Sequence, residues 1–418
     1  MSQQDFIERH KRYSADFTRK RHLTFINILM IILCKSVKSL QLVLNELFLS
    51  EGMTTPVTSS AYTQARHKLK HTAFQELNDG IIALNYAEDK MKRWKGFRCL
   101  GVDASQIYLQ STPAIEAEFG SSSIRNKTME GKYSTATYVC CYDVLNKLTV
   151  QNILGPGFSY EPKLAAQMLN DTETKDLMIF DRGYMSYEFL ALLMQAKKYF
   201  VIRCPKNSFK VAQSLFDQED DSWQKVVTLN APRDRVNEVR NRGLPLEMSV
   251  RFVSVVLSTG EIEVLVTNLI DLELEREEFK DLYHLRWGVE CYFQVLKSRL
   301  SLENFTGKSV ESVYQDFWST IFISNVESIV TADVEGEINT RNDRLEKKVN
   351  KAVSFNALKN MAFEIFFTSS DLEASLNKLT LLFKTNTIVR RPERNAERKT
   401  FSALKSYRFA RCLKKNVF

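Results

Sequence analysis

The sequence predicts a mixed α/β protein whose sheet is preceded and followed by helical segments. Three observations carry this. From Phe97 onward, runs rich in Val, Ile, Leu, Phe and Tyr recur as "FRCLGVDASQIYL", "ATYVCCYDVLNKLTVQNIL", "DLMIFDRGY" and "KYFVIRC", and short apolar runs bounded by polar turns read as strands. Helical patterns at about 160–170 and 186–197 separate the later runs, so three strands give way to alternating helix and strand. Residues 1–92 and the chain beyond Leu300 lack β-type alternation and read as helices.

Taken in order, the first 92 residues form an all-helical domain. The apolar run from Leu23 to Cys34 is too short to span a bilayer and is interrupted by Asn27, so it reads as a buried helix. No basic segment with a cleavage site opens the chain, and no secretory signal is expected. In "VTSSAYTQARHKLK", Ser59 or Ser60 is a candidate N-cap for a helix bearing Arg66, Lys68 and Lys70. A helix and a Thr/Pro turn precede it, an order similar to a helix-turn-helix, which makes these three cations candidate DNA contacts.

Residues 93–205 carry the five strands of the sheet. The polar stretch "GSSSIRNKTMEGKYS" between the first two is expected to be a mobile loop. Residues 206–272 break the α/β rhythm with charged loops and a hairpin, "MSVRFVSVVLSTGEIEVLVTNLI", turning at Ser258 to Gly260. They read as a β-rich insertion. The sheet domain resumes over 273–370, and a helix and basic tail occupy 371–418.

Composition narrows the chemistry. The seven cysteines are scattered without a C-x-x-C pair, which fits a reducing compartment and argues against structural zinc. His67 and His71 have i,i+4 spacing but lie in a Lys/Arg-rich segment. From Val389 to Phe418 ten Lys/Arg face two Glu, a surplus equal to the net charge of +8 of the whole chain. A basic tail interleaved with Phe401, Tyr407 and Phe409 suits a polyanion, nucleic acid before membrane.

Two aspartates, Asp103 in "CLGVDAS" and Asp181 in "LMIFDRGY", follow apolar strand runs and are expected where each strand leaves the sheet. A third acid lies in "YHLRWGVECYFQVLKSRL". If this segment is one helix, Tyr283, Arg286, Glu290 and Lys297 share an arc of roughly 60° beside an apolar face. Taken alone, Arg286 and Glu290 could be a solvated i,i+4 pair. Three converging carboxylates, however, repel one another unless a cation neutralises them, and hard oxygen ligands suit Mg²⁺ or Mn²⁺. Two such ions serve phosphodiester chemistry.

These residues resemble the DDE transposases of the bacterial insertion-sequence-four group, with its Y-R-E-K signature at Tyr283, Arg286, Glu290 and Lys297. Further blocks are similar, among them "SSAYTQARHKLK", "YDVLNKLTVQNILGPG", "IFDRGYMSYEFL" and "QDFWSTIF", so the likeness covers most of residues 17–325. The resemblance implies a ribonuclease-H-like catalytic domain interrupted by the β-rich insertion, with Asp103, Asp181 and Glu290 as catalytic acids and metal ligands. It implies two Mg²⁺ ions, replaceable by Mn²⁺, and DNA contacts by Tyr283, Arg286 and Lys297. The implied partner is double-stranded DNA, both transposon ends and target, bound by a homodimer in a synaptic complex. The implied setting is the bacterial cytoplasm, at the nucleoid when bound, with no membrane partner. In some relatives an aromatic of the insertion receives a flipped base; Trp223 is the only tryptophan of the insertion, and no motif aligns it.

Other readings are a domesticated DNA-binding descendant and a two-metal nuclease without strand transfer. A nucleotide cofactor is not expected. "TGKS" at 306–309 lacks the first glycine of a P-loop, since residue 302 is leucine, and "GPGFSY" is no dinucleotide fingerprint.

The tail yields the first prediction. Deletion after Ile388 should weaken binding to every DNA sequence alike, because phosphate contacts carry little base information. If half of its ten cations pair with phosphates, the slope of log affinity against log salt should fall by roughly four to five. Binding of full-length and truncated protein at several salt concentrations checks this; an unchanged slope would free the tail of any DNA role.

Overall fold

The computed structural model describes residues 3–19, 22–35, 38–50, 57–88, 91–126, 129–173, 175–218, 222–339, 345–363, 365 and 371–390. All but the first two residues of the basic tail thus lie outside the described residues. Contacts divide the chain into two units, one of residues 1–88, 108–135 and 294–418 and one of 89–107 and 136–293. Each is therefore discontinuous in sequence.

The first unit opens with α1 (Gln3–His10), α2 (Phe25–Leu33), α3 (Leu40–Ser50), α4 (Ser59–Arg66) and α5 (Thr72–Ala87). The apolar run expected to be a buried helix is α2, capped by Thr24, with Asn27 satisfied by donating to the His22 carbonyl at 2.8 Å. The α4 cap is Thr58, one residue earlier than expected, accepting from the Ala61 N–H at 3.2 Å. α6 (Pro113–Phe119) and the hairpin of β2 (Ser122–Asn126) with the start of β3 (Met129–Asp143) belong here too. Within the stretch expected as a mobile loop, Ser122–Asn126 and Met129–Tyr133 are thus paired strand. α12 (Trp287–Ser298) ends in this unit, and α13 (Val310–Ile338), β10 (Lys347–Val349), α14 (Lys351–Phe363), α15 (Leu372–Thr385) and β11 (Thr387–Val389) complete it. "TGKS" leads into α13, where Ser309 and Ser312 form a capping box and Gly307 leaves room for the Ser312 side chain.

Arg66 departs from its expected role. It is 5% exposed, and its guanidinium donates to Gln315 Oε1 at 2.7 Å, Thr306 Oγ1 at 2.6 Å, the Ser312 carbonyl at 3.1 Å and Asp316 Oδ1 at 2.9 Å. A cation so engaged and so buried holds α4 to α13 and is withheld from a DNA phosphate. Lys68 is half-buried, with Asp16 at 3.8 Å, and Lys70 donates to the Arg9 carbonyl at 3.1 Å.

The second unit is built on the sheet. Its strands are β1 (Arg98–Leu109), the paired part of β3, β4 (Leu148–Pro156), β5 (Asp176–Phe180), β6 (Tyr199–Cys204), β7 (Gln224–Asn230), β8 (Glu247–Val256) and β9 (Ile262–Thr267). Along the sheet they run β3-β1-β5-β6-β9-β8-β7, with β4 on the free side of β3. β1, β5 and β6 are parallel, β3 and β4 antiparallel. β1, β3, β4, β5 and β6, lying side by side in the order β4-β3-β1-β5-β6, make the ribonuclease-H-like sheet. The β-rich insertion extends it, since β9 pairs antiparallel with β6 from Val201↔Thr267.

The continuous apolar runs follow from burial on both faces. Every residue of β5 is buried. Leu100, Val102, Met178 and Phe180 pack with α7 (Glu161–Gln167) and α8 (Tyr187–Gln195), while Cys99, Leu177, Ile179 and Val201 pack with Phe279 and Leu282 of α11 (Arg276–His284). α9 (Lys210–Phe216) and α10 (Val236–Asn241) lie within the insertion. Side chains alternate along a strand, so the odd-numbered Asp103 and Asp181 fall on the α11 side. At the other end of the pair, Arg98 and the fully buried Asp176 form a two-pronged bridge of 2.6 and 2.7 Å that fixes the β1–β5 register.

Asp316→Ala should destabilise the protein by about 3–5 kcal/mol, because it strands the buried Arg66 charge, whereas Lys68→Ala should stay within about 0.5 kcal/mol. Urea unfolding measures both. Equal small effects would return Arg66 to the surface role that the sequence suggested.

Candidate active site

β1 and β5 pair in parallel up to Val102↔Phe180, so Asp103 and Asp181 are the next residues on two neighbouring strands, which lie about 4.8 Å apart. Asp181 stands where its strand ends, as expected. Asp103 does not: β1 continues to Leu109, and only its pairing with β5 stops.

The third acid comes from a helix that is broken. One helix was expected across 283–297, but α11 ends at His284 and α12 starts at Trp287. Between them the turn tightens to i→i+3 bonds, Arg286 N–H to the Tyr283 carbonyl at 3.1 Å and Gly288 N–H to the Leu285 carbonyl at 2.9 Å. Two glycines let α12 come close to the sheet. A Cβ on Gly101 of β1 would meet Val144 at 3.1 Å and Val289 at 3.5 Å, and one on Gly288 would meet Val144 at 3.3 Å. Tyr292 stacks on Tyr142 at 4.6 Å and Val289 is fully buried, which directs Glu290 to the acid edge.

Arg286 is the hinge of the site. Only 4% exposed, it donates through Nη2 to Glu290 Oε1 at 2.6 Å and lies 3.7 Å through Nη1 from Asp103 Oδ2. Its guanidinium sits 5.0 Å from the Trp287 ring centre. Tyr283, also buried, donates its hydroxyl to Asp181 Oδ1 at 3.4 Å. The first three signature residues therefore converge on the acids, although by a turn and not by one helical stripe. Lys297, in the last turn of α12, belongs to the first unit and is 3.8 Å from Glu303.

Burial pushes the Asp103 carboxyl up to about 6, helped by the nearby charges of Glu290 and Glu161 and opposed by the Ala104 N–H and Arg286. Burial likewise raises the Tyr283 hydroxyl. Two acids absent from the sequence reading join the site electrostatically. Glu161, in the first turn of α7, is raised by burial and by Asp181, and Glu263 of β9 is raised by burial, with Arg203 at 3.0 Å opposing. The buried Tyr184 hydroxyl, three residues after Asp181, lacks a hydrogen-bond partner and feels Glu161, Asp103 and Asp181. A glutamate opening a helix usually answers the helix dipole, so Glu161 gave no separate signal. Trp223 is half-buried against Arg251, and its carbonyl accepts the Ser254 N–H at 2.8 Å.

The donors around Arg286 are carboxylate oxygens, which in type and in surplus negative charge fit a hard divalent cation. As placed, Arg286 supplies the counter-charge, and among the described residues no three acids or other metal-binding side chains are drawn together tightly enough to hold an ion. His71 is paired with Glu311 at 2.9 Å.

The family described as Transposase DDE domain matches residues 94–326, which include Asp103, Asp181 and Glu290. The chain belongs to this family. DDE transposases use divalent metal ions. The "Transposase InsG for insertion sequence element IS4" of Escherichia coli (strain K12) is 24% identical over 279 residues, 65% of this chain, in keeping with the insertion-sequence-four signature. The match spans 60% of that relative's length. A cryo-EM structure of a piggyBac transposase synaptic complex with hairpin DNA aligns over 97% of this chain and 84% of its own, at 11% identity and a TM-score of 0.45. No helix among the described residues of this DDE-family chain is long and apolar enough to cross a membrane.

The raised Asp103 has a cost. An acid that ionises at about 3.9 unfolded and about 6 folded favours the fold below pH 4, and that stability is lost as pH rises through 6. Asp103→Asn should thus match wild type near pH 4 and exceed it by up to about 3 kcal/mol above pH 7. Urea titrations across this range check it; a pH-independent difference would contradict the desolvation assigned to Asp103.

Proposed function

We propose that this chain is the transposase of a bacterial insertion sequence. It binds the terminal inverted repeats, cleaves the ends by metal-dependent hydrolysis, and joins them to target DNA by transesterification in a cut-and-paste reaction. The observation that carries this reading is the meeting of Asp103 and Glu290 at one buried arginine, with Asp181 beside Asp103 on the neighbouring strand, within a DDE-family chain.

Asp103, Asp181 and Glu290 would hold two Mg²⁺ ions, or Mn²⁺ in their place. When bound, such ions activate the attacking oxygen and steady the leaving oxygen of a phosphodiester. The other roles fall to the chain itself. Arg286 and Lys297 grip phosphates next to the cut, and Tyr283 orients Asp181 through its hydroxyl. Lys68 and Lys70 contact the DNA backbone from the helical unit, without Arg66. The protein works as a homodimer joining two ends in a synaptic complex, at the nucleoid of the bacterial cytoplasm.

Asp103→Ala, Asp181→Ala or Glu290→Ala should abolish Mg²⁺-dependent nicking and strand transfer, by a thousandfold or so on the scale of lost transition-state stabilisation, while binding to the ends stays nearly intact. Full cleavage by any of the three in Mg²⁺ would remove that residue from the site. Hydrolysis without joining would favour the nuclease reading.

A further inference from the structure

We propose that Arg286 is a built-in counter-ion that occupies the acid site before metal arrives, and that a divalent cation must displace it. This rests on the metal-dependent reading above and adds a competition that the reading does not contain. The guanidinium bonds Glu290 at 2.6 Å and approaches Asp103 to 3.7 Å, which puts one cation against two of the three acids assigned to the metal. It is 4% exposed, so these contacts are little weakened by solvent. A metal bound to the same two carboxylates takes over the charge that Arg286 now neutralises. The donors of Arg286 are then released, while the Tyr283 and Trp287 rings, 5.9 and 5.0 Å from the guanidinium carbon, hold the freed cation at the edge of the site. Its Nε, buried and without a partner, gives the freed group a further donor for a phosphate oxygen. Metal loading and phosphate gripping are thereby coupled through one side chain, and the coupling is reciprocal.

A scaffold role for Arg286 and a competitor role predict opposite signs. In DNA-free protein, Arg286→Gln should bind Mn²⁺ about tenfold more tightly or better, the equivalent of roughly 1.4 kcal/mol of removed competition. Its melting temperature should fall in EDTA and rise further than that of wild type on adding Mn²⁺. Arg286→Lys, a weaker competitor that keeps the charge, should fall between, and it serves as the second variant if Arg286→Gln does not fold. Titration calorimetry and the paramagnetic resonance of free Mn²⁺ give the affinities without relying on DNA cleavage. Unchanged or weaker Mn²⁺ binding by the folded variants, with wild type binding normally, would overturn the proposal alone. Absence of Mn²⁺ binding in wild type and variants alike would overturn the metal reading and this proposal together.

Discussion

The site depends on the mutual repulsion of carboxylates held at one edge of a sheet. Asp103 and Asp181 are brought side by side by the β1–β5 register, and Glu290 is pressed toward them because Gly101 and Gly288 let α12 lie close to β1. Left bare, such a cluster opposes folding. Arg286 offsets part of that cost and burial of Asp103 adds to it, which is why this acid keeps its proton to about pH 6. Acids perturbed in this way and held at a sheet edge cluster at functional sites.

The surrounding packing is ordered to keep that edge rigid. The Arg98–Asp176 bridge pins the far end of the same strand pair, so the register that sets Asp103 against Asp181 cannot slip by one residue without burying unpaired charge. Phe279 and Leu282, both fully buried, fasten α11 to the sheet, each contributing about 1.5–3 kcal/mol. The insertion adds its strands to the same sheet, which places Glu263 and Arg203 on β9 and β6, beside the acids.

Much of this was legible in the sequence because it depends on local pattern. The strands of the sheet are continuous apolar runs, the hairpin at Ser258–Gly260 has its turn residues, and the two aspartates follow the runs that position them. What was not legible depends on distant partners. Nothing near Arg66 announces Asp316, 250 residues later, which turns an apparent DNA contact into a buried tie. The break at Leu285–Arg286 is hidden because both residues suit a helix; only Gly288, needed for close approach to Val144, hints at it. α6 had a readable start, Thr112 as cap and Pro113 in the first turn, that the polar composition of the following stretch obscured. Glu161 and Tyr184 carry no spacing signal, and only the folded sheet edge brings them to the acids.

The central claim is that the edge holding Asp103, Asp181 and Glu290 is a divalent-cation site. Anomalous X-ray diffraction from crystals grown with Mn²⁺ tests it most directly. The account predicts manganese signal against these carboxylates, with the Arg286 guanidinium moved off Glu290. Manganese elsewhere, or none at this edge at concentrations that support DNA nicking, would contradict it.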